Sequence, residues 1–130
     1  MRYDEFLART RELGEYADNQ EAERVVRVVL GTLAQRMTTR EVEDLAAQLS
    51  EPLDGFLLAG RTERPGSFGV EEFLRKVAEG TGARPRTAEW DASAVLCTVG
   101  ESISGGELNQ VLSQLPSDYA ALFGKPELSR

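Results

Sequence analysis

Two pairs of residues have types and spacing that first invite a chemical reading: Thr38 with Glu41, and Ser104 with Glu107. A hydroxyl and a carboxylate three residues apart resemble a nucleophile beside a base. The same spacing is what a capping box requires: the hydroxyl accepts from an early backbone N–H of a helix and the carboxylate reaches back to the cap residue. Each pair leads into apolar residues at helical intervals, Val42, Leu45 and Leu49 in one case and Leu108, Val111, Leu112 and Leu115 in the other. Both pairs are therefore expected to start helices rather than to catalyse. Histidine is absent, which removes the commonest general base, the commonest nitrogen ligand and both Ser-His and Cys-His nucleophile pairs. The one cysteine, Cys97, cannot build a zinc site. It falls mid-helix in a stretch without basic residues, so an inert, packed thiol is expected. Gly105-Gly106 precedes a helix, but no strand leads into it and no lysine follows, which argues against a phosphate loop. The acidic residues lack the Glu-x-x-His of a di-metal bundle and the glycine-centred loop of an EF-hand. The expectation is a protein that is not an enzyme and carries no metal and no cofactor.

Charge narrows the class of partner. Fifteen basic against 22 acidic residues give a net charge of −7, which disfavours nucleic acid. No basic residue lies between Arg86 and Lys125, while Glu89, Asp91, Glu101, Glu107 and Asp118 are all acidic. Such a region keeps a protein soluble or docks a basic partner. Apolar runs such as Val28-Val29-Leu30 are too short to span a membrane, and the N-terminus lacks the apolar core of a signal peptide. A single cysteine rules out an internal disulfide and fits a reducing compartment, so a cytoplasmic location is expected.

The elements that hold these residues come in two copies. Phe6-Leu7 recurs as Phe73-Leu74, a shift of 67; Ala22-Glu23, Val29-Leu30, Glu41 and Gln48-Leu49 recur as Ala88-Glu89, Val95-Leu96, Glu107 and Gln114-Leu115, a shift of 66. Each copy reads as four helices. The first carries Tyr3, Phe6, Leu7, Thr10 and Leu13 on one face, matched by Val70, Phe73, Leu74 and Val77, with stops at Gly14 and at Gly80 or Gly82. The second is longest, with a stripe from Ala22 through Leu30 to Met37, an Asp18-x-x-Glu21 capping signal, and Pro85 opening its counterpart. The third starts at the Thr38 and Ser104 boxes. The fourth follows Pro52 and Pro116 and carries Leu53, Phe56 and Leu57 or Tyr119, Leu122 and Phe123. The predicted architecture is all-α: an eight-helix domain from two tandem four-helix repeats related by a pseudo-twofold axis. Residues 1–60 form repeat one, 61–68 the linker, 69–124 repeat two and 125–130 a frayed tail. A four-helix unit of this size is marginal alone, so the repeats are expected to share one core.

The start Tyr3-Asp4-Glu5-Phe6-Leu7, the Gln114-Leu115-Pro116 segment and the close Asp118-Tyr119-Ala120-Ala121-Leu122-Phe123 resemble the small bacterial family catalogued as domain of unknown function 2267. The resemblance runs over residues 3–124; copy one departs from the closing motif, with Ser50 where copy two has Pro116. It implies a helical fold and a bacterial cytoplasmic setting, and transfers no activity, cofactor or catalytic residue.

One asymmetry between the copies points to a surface. Arg24 of the first long helix aligns with Trp90 of the second, Gly31 with Cys97, and Gln35 with Glu101. Trp90, Ala94, Cys97 and Glu101 follow helical spacing and make one stripe, an aromatic anchor followed by small residues. Either this stripe packs inside the chain, or it docks a second protomer or another protein. The function expected is a non-catalytic helical protein-interaction or scaffold module, with a protein partner or self-association. The alternative is a small-molecule carrier with an apolar cavity between the repeats, for which inward polar residues such as Thr10 and Thr81 would be the sign.

Overall fold

A computed structural model describes residues 1–125, apart from the side chain of Pro85; the part of the expected tail at 126–130 lies outside the described residues. The fold is all-α. Among the described residues seven α-helices and a 3-10 helix make eight: α1 (Tyr3–Gly14), α2 (Asn19–Arg36), α3 (Thr39–Ala46), α4 (Leu53–Gly60), α5 (Val70–Thr81), α6 (Pro85–Ser102), α7 (Gly105–Ser113) and α8 (Ser117–Phe123). The 3-10 winding of α8 aligns residues three apart, which sends Tyr119 with Leu122 and Ala120 with Phe123 into the core.

Local chemistry sets the ends. Thr38 and Glu41 close a full capping box at α3, the hydroxyl accepting from Glu41 N–H and the carboxylate from Thr38 N–H. At α7 only half of the box forms. Ser104 Oγ accepts from Glu107 N–H, but Ser104 N–H donates to Gln48 of the other half. The Glu107 carboxylate is left near Asp44, and burial, then that like charge, pushes its pKa up. Asp18 caps α2 through Glu21 N–H, whereas the Glu21 carboxylate takes Ala17 N–H rather than returning to Asp18. Helix α1 ends at Gly14, but the left-handed residue is Glu15, at φ 56°. Gly14 is required for closeness instead: a side-chain carbon there would collide with the Tyr16 ring. Helix α5 passes through Gly80 and stops at Gly82, whose φ of 79° suits glycine.

The two long helices α2 and α6 touch each other at the centre. Helices α1 and α5 each pack on both of them, α4 lies on α2, and α8 lies on α6. Leu30 and Leu96, at matching points of the long helices, are fully buried together with Phe6, Phe73, Leu33, Val99 and Tyr119. Phe73 and Tyr119 meet edge to face, ring centroids 5.4 Å apart.

The segment between α4 and α5 is tied down from both halves. Arg36 Nε donates to Phe68 O at 2.7 Å and Tyr119 Oη donates to the same oxygen at 2.9 Å. Gly66 N–H donates to Gln35 O at 2.9 Å. These bonds fix the connection against α2 and α8.

Candidate interaction surface

Helix α6 carries the stripe and packs against α1, α2, α5 and α8. The four residues have different surroundings. Trp90, at the first turns of α6, is 51% exposed. Its indole N–H donates to Gly14 O at 2.9 Å, satisfying a carbonyl at the open end of α1. Ala94 is buried. Cys97 is half-buried under α8; its thiol faces Leu122 O, and Gly124 sits close above it. Glu101 is exposed but engaged, accepting two bonds from Arg9 of α1, at 2.9 and 3.0 Å. The four therefore do not form one open strip: each meets α1, α8 or the core of the same chain, and Trp90 still keeps about half of its surface free. A tryptophan at the end of a stripe can sit over a helix terminus, which periodicity along α6 alone does not reveal.

The electrostatics of the seam follow from this packing. Arg9 holds Glu101 below the usual carboxylate range. Burial, then Glu101, pushes the Cys97 thiol up, so it is protonated at neutral pH. The sequence around Cys97 has no basic residue, yet Arg9 reaches it from α1 and opposes that shift. Near Trp90, Tyr16 Oη donates to Asp91 Oδ1 at 2.6 Å. Asp91 is 5% exposed, and burial raises its pKa against the help of Tyr16 and of Arg24 nearby, with Glu21 adding repulsion. Burial, then the Asp91 bond, likewise raises the Tyr16 phenol.

Tyr16, Asp91 and Arg9 are the residues that sequence reasoning left out of the surface. Tyr16 lies beyond the last turn of α1, outside any helical period. Asp91 reads as one more solvated acid until the fold buries it. Among the described residues the buried polar side chains are Thr10, Thr32, Asp91 and Thr98. Thr32 and Thr98 return their hydroxyls to their own helix, to Val28 O and Ala94 O, both at 2.8 Å. Thr81, the other residue expected to mark a cavity, bonds locally to Ala78 O.

The model of the uncharacterized conserved protein family DUF2267 matches residues 3–122, nearly every described position from α1 to α8. The chain belongs to the DUF2267 family. A search of curated proteins finds no match to it. Membership of DUF2267 brings no reaction to place in the seam. No helix among the described residues is long and apolar enough to cross a membrane.

Proposed function

We propose that this DUF2267 chain is a non-catalytic protein-interaction or scaffold module of the bacterial cytoplasm, with Trp90 as the anchor of the contact. The observation that carries the reading is Trp90 itself. It is a large aromatic residue, half exposed, yet held in one orientation by its bond to Gly14 O. A fixed aromatic costs little ordering when a partner covers it, and tryptophan is prominent among residues that dominate interface energies. The titrating groups nearby support the same view. Tyr16 and Asp91 satisfy each other inside a packing seam rather than converging on a cleft where a substrate would bind. A net charge of −7 favours protein partners over nucleic acid. The carrier reading finds less support, because Phe6, Phe73, Leu30 and Leu96 fill the region where α2 and α6 meet.

The test is Trp90→Arg, which places in copy two the residue type of Arg24. Arginine near a helix C-terminus can still donate to Gly14 O, so the fold is expected to survive, with the thermal midpoint moving by no more than about 5 °C. Association, read by light scattering on the chain alone and on the complex recovered from its host, is expected to be lost. A collapsed melt would place Trp90 among the core residues, and an undiminished complex would remove it from the interface.

A further inference from the structure

The seams that α1 and α5 make with the long helices are closed differently. At the α1–α6 seam Arg9 grips Glu101 with two bonds, at 2.9 and 3.0 Å, while another nitrogen takes Glu12 at 2.7 Å. The repeat spacing puts Lys76 at the position of Arg9, Glu79 at that of Glu12, Gln35 at that of Glu101 and Gly31 at that of Cys97. The cation is kept, and the carboxylate across the seam is replaced by an amide. Among the described residues neither Lys76 nor Arg64 is in an ion pair within 4.0 Å. Lys76 Nζ lies instead over the Phe68 ring, 5.1 Å from its centroid.

This second seam is open. A cleft of about 480 Å³ follows α2 past Gly31 and Gln35 to Lys76. At Gln35 and Lys76 it joins a cleft of about 760 Å³ lined by Arg64 and Phe68 of the connecting segment. Gly31 presents no side chain to the cleft, where a side-chain carbon would meet nothing within 4 Å, while Gly60 of α4 lies close against its backbone. From Arg27 to Gln35 the α2 floor is about 12 Å long by helical rise, the span of roughly four extended residues.

We propose that this groove takes a segment of a protein partner bearing a single carboxylate, laid along α2 with that carboxylate between Lys76 and Arg64. The molecule itself shows what closes such a seam: the Glu101 carboxylate on Arg9. Gln35 supplies none, so the acid comes from outside. Glu72 and Glu79 stand on the α5 wall beside Lys76 and repel a continuous acidic run. The segment recognised therefore carries a glutamate or aspartate at one position with uncharged neighbours. The proposal rests on the reading of the chain as a binding module. It uses a surface other than that of Trp90, so the two can fail separately.

The test is an NMR titration of the full chain with a short alanine–serine peptide bearing one central glutamate, and with its glutamine counterpart. Saturable shifts of the Gly31, Gln35 and Phe68 amides are expected with the glutamate peptide, in the millimolar range suited to a single charged contact. The glutamine peptide should bind at least about tenfold more weakly. Lys76→Glu should abolish the shifts. Gln35→Glu should do so too while the melt is retained, because the chain then offers Lys76 its own carboxylate. Trp90→Arg should leave the shifts unchanged. No saturable shift, equal binding of the glutamine peptide, or undiminished binding to Gln35→Glu would each overturn the proposal.

Discussion

The hydroxyl of Thr10 is buried on the inner face of α1 and finds no hydrogen-bond partner among the described residues. Its counterpart by the repeat spacing is Val77, which is also buried. Thr10→Val keeps the shape and removes an unsatisfied polar group, so it is expected to stabilise the fold by about 1–2 kcal/mol in denaturant titration. A loss of stability would show that the hydroxyl is hydrogen-bonded, for instance to water. Asp91 is a second buried polar residue with a pH signature. Its pKa is raised in the fold, so its protonated form is the one the fold favours. That contribution is fully present below the unfolded pKa and is lost as pH rises through the folded one. Asp91→Asn keeps an acceptor for Tyr16 and carries no charge. Its stability gain over the parent should be absent in strong acid, grow as pH rises from the usual aspartate value through the raised one, and then level off. A gain that shrank as pH rose would mean that Asp91 is stabilised as a carboxylate. The helical period of α1 already turns Thr10 inward, whereas Asp91 could not be singled out beforehand. An aspartate is read from its neighbours in sequence, while its burial is decided by an element from another part of the chain.

Most of the elements were legible because their signals are local. Capping residues, a proline at the start of α6 and the apolar periods of α2 and α7 all act within one or two turns. The differences arose where a distant group competes with a local one. Gln48 displaces Glu107 from the α7 capping box, and Tyr16 dictates the glycine at the end of α1. The long helices provide the test at this scale. Leu30 and Leu96 are both fully buried where α2 and α6 meet. Leu30→Ala and Leu96→Ala should each cost about 2–5 kcal/mol through lost transfer and the cavity left behind. Equal costs are expected if the two halves pack alike. An unchanged unfolding midpoint for either variant would mean that its helix is rotated away from the core.

The path of the whole molecule is less legible. Periodicity shows that α1 has an apolar face, but not that this face spans α6 as well as α2. The stripe on α6 could thus be found without knowing what covers it. Arg9 is charged and distant in sequence, and it closes the far end of that stripe. What remains outside is the Trp90 face. Trp90 is the chain's one tryptophan, so it can be read in isolation. The most direct measurement is the fluorine NMR signal of the chain labelled with 5-fluorotryptophan, taken free and with the unlabelled partner recovered from its host. The free signal is expected to be sensitive to exchange of water for heavy water. On complex formation the signal should shift and lose that sensitivity. A signal that keeps its position and its solvent sensitivity while the complex forms would contradict the assignment of Trp90 as the anchor.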